Sequence, residues 1–549
     1  MKPDSNAVAR AGRIGGRPGW RRWFDSVQAP LSWLLAGVGI GLRIRQYAFR
    51  RSLWNDEASL AVNIISRSYG GLTRKLAIEQ GAPIGFLWLE KTATELFGIS
   101  EYALRLVPLL AGIASVLIFR SLVVRLLVPV AANMALCLFA VAPALVYYAS
   151  ESKQYGMDVF AAVALARFLP ALLQGPMRWS KSLWWGGTAS VLVWCSFPAA
   201  FVCGAVSLVV ALAMTRRRRW AQLAAFVAGC AMWVASLAVE YFVALRSLHS
   251  DPKLLGYWAY AFPRRPLALG STLSWFNRDL HVLIGFPWHL QVFWLTATLL
   301  VLGWIVLLGR RTAAGLFVLV LLAAVAVAAI VHDYPMADRL VLFTVPFVCL
   351  LLGAAVMLSS RALIQIGLVA LVAIASATAF ASAGSAIVHP YTKTEWREAY
   401  VYVQHHEKPG DAVLFEWEGV PDYLYYHQAL GVNAVGAFRL SGSPTSCYNA
   451  LQFTKLAPWP RVWLVLGIDP DSEEGHPAAH YAAAFGHIGR ISSVFNAPGP
   501  AAAMLLTITP HHNRSLAPLP APPWQPAPYG CITIQITSFS STLAAIGRG

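Results

Sequence analysis

Runs of about 20 apolar residues recur along this chain, and a helix of that length crosses the hydrocarbon core of a bilayer. Nothing else in the sequence constrains its fold as strongly, because only helices and closed barrels satisfy their own backbone groups inside lipid. The runs fall at 30–48, 102–124, 128–148, 155–175, 183–198, 200–214, 221–243, 289–309, 312–331, 340–358 and 363–385. They give eleven expected spans, of which 183–198 and 200–214 are short and divided by Pro198. Composition agrees: 57% of the 549 residues are hydrophobic and 13% are charged, about half the charged share of an ordinary globular chain.

The net charge of +17 is compatible with nucleic acid, anionic lipid or topology, and the placement of the charges decides among them. Arg120 and Arg125, Arg178 and Lys181, Arg216 to Arg219, Arg310 and Arg311, and Arg361 occupy alternate short connectors that contain no acid. Asp56, Glu57, Glu151, Asp251, Asp279, Asp333 and Asp338 fall on the other side. This is the positive-inside pattern with a cytoplasmic N-terminus, not a nucleic-acid surface. Residues 1–29 are polar and Arg-rich and read as a cytoplasmic tail, with no cleavage pattern after the first apolar run. An odd number of spans then puts the C-terminus outside the cytoplasm.

Domain organisation follows: the tail, a transmembrane body over 30–385 with long outer loops at 49–101 and 244–288, and a soluble outer domain over 386–549. The first loop is expected to carry helices near 57–69 and 84–97. The second of these (IGFLWLEKTATELFG, 84–98) is amphipathic and lies at the interface, since inserting it would turn every later basic connector outward. Tyr257, Trp258, Tyr260, Trp275, Phe276 and Trp288 in the second loop form either an interfacial belt or a lipid- or sugar-contact surface. Beyond 386 a helix is expected over 396–405, a turn at Pro409-Gly410-Asp411, strands at 412–415 and 462–466, a helix at 477–486 and an extended Pro-rich stretch at 517–528. The fold class is therefore a polytopic α-helical membrane protein with a small C-terminal α/β domain. No internal repeat is present. Seven cysteines form no CxxC pair, so a structural zinc or iron–sulfur site is not indicated. Cys137, Cys195, Cys203, Cys230 and Cys349 read as small core residues. Cys447 and Cys531 are the two that an oxidising compartment could join.

Chemistry-bearing residues gather on the outer face. Asp56 and Glu57 follow the first span, and on a helix their side chains point about 100° apart, so one can face a cavity while the other meets structural partners. The pair is read either as catalytic or ligand-binding, or as helix capping and salt bridging. Gln80-Gly81-Ala82-Pro83-Ile84 starts the amphipathic helix. Arg105 stands at the outer mouth of the second span, placed to snorkel or to pair with Glu101. The turn from Tyr147 through Tyr148, Glu151, Lys153 and Gln154 to Tyr155 brings tyrosines, an acid and a base to the outer surface. Glu151 and Lys153 there form either a weak surface pair or contacts to a sugar or phosphate. Asp158 faces protein. In His332-Asp333-Tyr334-Pro335-Met336-Ala337-Asp338-Arg339, the arginine is placed to hold a phosphate, while the spacing follows no strong metal motif.

These residues resemble the GT-C superfamily of membrane glycosyltransferases, especially the bacterial branch of lipopolysaccharide-core galacturonosyltransferases, aminoarabinose transferases and protein O-mannosyltransferases. The resemblance rests on Asp56-Glu57, Gly81-Ala82-Pro83, Gly98-Ile99-Ser100-Glu101-Tyr102-Ala103-Leu104-Arg105, the Tyr147–Tyr155 turn and Asp338-Arg339. Glu395-Trp396-Arg397 and Pro409-Gly410-Asp411 are similar to the start of that branch's outer domain. The chain departs from the pattern at Ala82, where a proline is usual, and at Lys153, where arginine is frequent.

The resemblance implies an inverting glycosyltransferase. Its donor is a sugar on a polyprenyl phosphate, and its acceptor is a hydroxyl of an envelope glycan, lipid or protein, outside a bacterial inner membrane. Asp56 is then the general base, Arg339 followed by Lys153 stabilise the leaving phosphate, and Glu57 and Glu151 orient the acceptor, the sugar or those cations. Arg105, Tyr148 and Tyr155 are further lipid-phosphate or sugar contacts. No nucleotide-sugar pocket is implied, and the need for a divalent metal stays open. The rival reading is a transporter or flippase of lipid-linked precursors, whose acids belong near midspan rather than at one face. A purely structural membrane protein needs no clustered acids.

Overall fold

The computed structural model describes residues 19–246, 256–441 except 432, 454–467 except 457, 485, 488–497, 501–508, 531–536 and 546–547. The expected helix at 477–486 (but for Phe485), the Pro-rich stretch and the Cys447–Cys531 pairing lie outside these residues. The five cysteines of the apolar runs are free thiols.

Every expected span is helical, but the count that is long and apolar enough to cross a membrane is lower than eleven. Seven helices meet that description among the described residues, and nine do if each bent pair is taken as one span. The bent pairs are Pro129–Val141 with Pro143–Ser150, at 57°, and Ala362–Ala375 with Ala377–Val388, at 63°. The remaining two are Gly19–Ala48, whose end carries Arg43, Arg45 and Gln46 among apolar residues, and Trp179–Cys195, which has only 17 residues. The first bend has a local cause in Pro143, which begins the second segment and cannot donate to the helix before it.

Asp338–Leu358 is the most buried of the seven, and Arg339 stands at its N-terminal end. Glycines let the helices around it approach. A Cβ on Gly303 would run into the Leu351 carbonyl oxygen, and one on Gly353 would meet Ala131 and Ala135. Backbone atoms cannot retreat as a flexible side chain can, so Gly303→Val is expected to cost about 1–3 kcal/mol. Thermal unfolding of the detergent-solubilised protein measures it; an unchanged midpoint would show that the crossing is looser.

In the loop that follows the first apolar helix, helices run over Asn55–Ser66 and Ile84–Phe97, the second at the expected position. The C-terminal region forms a mixed six-stranded sheet of β1 (Ala412–Glu416), β2 (Gly436–Ser441), β3 (Arg461–Gly467), β4 (Gly489–Asn496), β5 (Ala501–Ile508) and β6 (Cys531–Ile536). Its order is β4-β5-β3-β1-β2-β6, with β1 parallel to both neighbours and the outer pairings antiparallel. Central β1 is buried along its whole length, as a strand covered on both faces must be.

The strand period of two sends Val413, Phe415, Trp463 and Val465 to one face and Ala412, Leu414, Val462 and Leu464 to the other. The first face packs on helices Trp396–His406 and Val420–Leu430, and the same apolar cluster includes Leu53, Leu60, Ile64, Phe86 and Leu104. The sheet region and the loop that follows the first apolar helix therefore share one core.

Candidate active site

Asn55–Ser66 begins directly after Trp54, and both of its acids lie in the first turn, where the helix dipole favours negative charge. Glu57 bends back to accept the Trp54 amide at 3.4 Å, closing that turn. The angular offset of neighbouring helix positions then separates the two acids, Glu57 inward and Asp56 toward the following loops.

Glu57 is fully buried and takes five donors. Oε1 accepts from Arg105 Nε at 2.9 Å and the Ser152 amide at 2.8 Å. Oε2 accepts from Arg51 Nη1 at 3.0 Å, Arg105 Nη2 at 2.7 Å and the Trp54 amide. Burial alone would raise this carboxyl, but Arg105 and Arg51 outweigh it and hold it below the usual range. The geometry of Glu57 is that of the capping and salt-bridging reading. A carboxylate so occupied has no lone pair to offer a substrate, so Glu57 positions and does not react. Arg105, also buried, donates to the Arg51 and Ser52 carbonyls as well, so four of its five N–H groups are engaged within the protein and its head is buried rather than snorkelling.

Asp56 keeps some contact with solvent, its side chain 18% exposed. Oδ1 accepts from Lys153 Nζ at 2.8 Å, and Lys153 also donates to Gln80 Oε1. Arg339 Nη2 lies 2.8 Å from Oδ2, an ion pair by distance that is out of line for a hydrogen bond. Burial works against the charge of Asp56, but Lys153 and Arg339 overcome it and hold the carboxyl at about 2. Arg339 reaches this position with Nε donating to the Tyr155 hydroxyl at 2.9 Å and its guanidinium over the Trp54, Tyr155 and Trp258 rings, 5.5–5.8 Å from the centroids.

Residues 147–155 are buried, not displayed on the surface, and Glu151 does not pair with Lys153. Glu151 Oε1 accepts from Trp54 Nε1 at 2.7 Å, while its Oε2 has no hydrogen-bond partner among the described residues. Burial pushes its carboxyl above the usual range. Tyr148 packs edge-on against Tyr147 and Tyr155, with ring centroids 5.0 and 5.3 Å apart. Its role in the packing is to support those two rings. His332 stacks on Phe262, and Asp338 accepts from the Tyr260 hydroxyl. Among the described residues no three His, Cys, Asp or Glu side chains come together as a metal-ligand group.

The structure thus gathers Asp56, Lys153, Arg339 and Tyr155, with Glu151 alongside through Trp54. It assigns Glu57 and Arg105 to the scaffold beneath. Sequence reasoning passed over Arg51, Trp54, Gln80 as a lysine partner, and Lys393. Trp54 and Arg51 flank the acidic pair, and Lys393 stands two residues before the Glu395-Trp396-Arg397 motif, so proximity to motifs was the available signal.

The sheet region is tied to this site through residues 50–53. Glu395 Oε2 accepts the Ser52 amide at 3.0 Å, Ser52 Oγ accepts the Arg397 amide at 3.1 Å, and the Tyr426 hydroxyl accepts the Leu53 amide at 2.9 Å. Arg397 also donates to Glu101 Oε1 at 2.9 Å and to the Arg50 carbonyl.

No known protein-family profile and no curated protein sequence matches the chain. Solved structures do. Apo ArnT from Cupriavidus metallidurans matches with a TM-score of 0.50 and 14% identity, over 90% of this chain and 100% of that one. The same protein bound to undecaprenyl phosphate gives 0.45 and 13%, over 92% and 100%. The archaeal oligosaccharyltransferase AglB from Archaeoglobus fulgidus, in complex with an inhibitory peptide and a dolichol-phosphate, gives 0.47 and 12%, over 88% and 74%. At such identity the likeness is one of fold alone: this chain shares the fold of apo ArnT over that protein's full length.

Proposed function

We propose that the protein is an inverting glycosyltransferase that moves a sugar from a polyprenyl-phosphate donor to a hydroxyl of an envelope glycan, lipid or protein. The reaction takes place on the outer side of a bacterial cytoplasmic membrane. The observation that carries this reading is the Asp56 carboxylate set between Lys153 and Arg339, the latter at the end of the most buried span.

The acceptor oxygen attacks the anomeric carbon and its proton passes to Asp56. The bond from that carbon to the phosphate oxygen breaks, and its electron pair leaves on the lipid phosphate. A phosphate is a stable anion and needs no acid, but it needs positive charge close by. Arg339 and Lys153 supply that charge. Before the donor arrives they are occupied by Asp56, so the incoming phosphate competes with the carboxylate for the same cations. As the cations turn to the phosphate, Asp56 loses what holds it at about 2 and becomes a stronger base.

Reconstitution in vesicles with a polyprenyl-phosphate sugar tests the reading. Arg339→Ala is expected to lower transfer by about a hundredfold or more, with Tyr155→Phe far milder. Equal transfer by Arg339→Ala and the wild type would remove Arg339 from the phosphate site. The alternative is a transporter or flippase of lipid-linked precursors; the buried Glu240, with neither carboxyl oxygen hydrogen-bonded among the described residues, ends the helix Trp220–Glu240 rather than lying near midspan, where such a protein needs its acids. Accumulation of a lipid-linked substrate across sealed vesicles, with no sugar transferred, would decide for that alternative.

A further inference from the structure

Lys393 lies on the short segment between the last membrane helix, which ends at Val388, and the helix that opens at Trp396. Its ammonium sits 3.4 Å from the centroid of the Trp54 ring and 5.5 Å from that of Tyr147. Trp54 is also one of the rings beneath Arg339 and the indole donor to Glu151. The position is built. Tyr391, two residues earlier, exchanges two hydrogen bonds with the Gln46 side chain, at 2.8 and 2.9 Å, and Glu395, two residues later, accepts the Ser52 amide.

Each of the other cations here is committed. Arg51 and Arg105 hold Glu57, while Lys153 and Arg339 hold Asp56. Lys393 has neither a hydrogen bond nor a carboxylate oxygen within 4 Å among the described residues. Beside the two carboxylates of Asp56 and Glu151 stand three cations, Lys153, Arg339 and Lys393. An enclosed surplus of positive charge is costly unless an anion fills it. Burial pushes the Lys393 ammonium down, and Glu151 partly offsets this, so an anion beside it would further favour the charged form.

We propose that Lys393 binds the phosphate of the lipid donor and of the lipid phosphate that leaves, completing a cluster with Arg339 and Lys153. The inference rests on the glycosyl-transfer reading above. A sugar-linked phosphodiester carries one negative charge, and the phosphate monoester left after transfer carries up to two. A free ammonium at the rim therefore gains most as the leaving group forms, which is where added charge accelerates the step. It also places one phosphate ligand on the chain that leads into the sheet region, so donor binding depends on how that region is docked.

The test is binding of undecaprenyl phosphate to the full-length protein in lipid nanodiscs, followed by Trp fluorescence, with inorganic phosphate titrated in parallel. Lys393→Gln is expected to weaken lipid-phosphate binding by about tenfold to a hundredfold, and Lys393→Arg to restore most of it. The thermal midpoint of Lys393→Gln without ligand should match the wild type. If it does not, Lys393→Met, which keeps the stem over Trp54, replaces it in the same titration. Wild-type binding with equal affinity in the Gln or Met variant would overturn the role of Lys393 and leave the glycosyl-transfer reading standing. No binding by the wild type would overturn both. Inorganic phosphate binding as tightly as the lipid, and equally sensitive to Lys393, would overturn a lipid-donor role.

Discussion

Asp56→Asn is expected to lose sugar transfer by about a hundredfold to ten-thousandfold while binding polyprenyl phosphate at least as tightly as the wild type. The two halves of this expectation come from one geometry. The carboxylate accepts a hydrogen bond from Lys153 at 2.8 Å and faces Arg339 at 2.8 Å. Asparagine is of similar shape but cannot take the acceptor's proton. It also no longer competes with the phosphate for those cations, so donor binding does not fall. Parallel measurements of transfer and of lipid-phosphate binding check both halves, and undiminished transfer would sink the assignment of the base. A pH series adds a sign. With its pKa held near 2, below about 3.9 for an ordinary aspartate, Asp56 contributes stability above that ordinary value. The contribution is lost as pH falls toward 2. Across neutral pH it is ionised, so an acid limb of kcat/KM there belongs to another group.

Glu57→Ala is expected to be the most damaging substitution for stability, at about 3–5 kcal/mol, and to cost activity through folding. Removing this carboxylate strands Arg51 and Arg105, side chains only 1% and 3% exposed. Neither can turn to water, because Arg51 also donates to the Ser150 carbonyl and Arg105 to those of Arg51 and Ser52. The same carboxylate anchors the Ser152 amide, one residue from Lys153, so the loop that carries Lys153 loosens with it. Thermal unfolding in detergent reads the effect. A midpoint within a degree of the wild type would show that the arginines find other anions. These opposite outcomes at adjacent positions separate a reacting acid from a supporting one.

Much of the architecture was legible because each feature was local. Apolar runs, basic connectors, the amphipathic segment at 84–97 and strands near 412–415 and 462–466 are written in windows of a few to twenty residues. The span count was less secure for a physical reason. Gly19–Ala48 carries Arg43, which folds back onto the carbonyls of Gly39, Phe139 and Ala140, and hydropathy cannot register a polar group satisfied by a distant helix. The 147–155 turn was read as surface because it is polar, but its charges are buried against Trp54, Asp56 and Glu57 from another loop.

By itself the sequence determined a polytopic helical membrane protein with a small α/β region after its last span, and it marked Asp56, Glu57, Glu151, Lys153 and Arg339 as residues to watch. Only the tertiary structure decided which of them face one another. It turned Asp56 toward Lys153 and Arg339, enclosed Glu57 with Arg51 and Arg105, and set Lys393 over Trp54 without an anion partner among the described residues. The reason is that an ionic group's role depends on what surrounds it within a few ångströms. Apart from Arg51, six residues from Glu57, those neighbours come from positions about 50 to 340 residues apart, a distance over which no local pattern in the chain carries information.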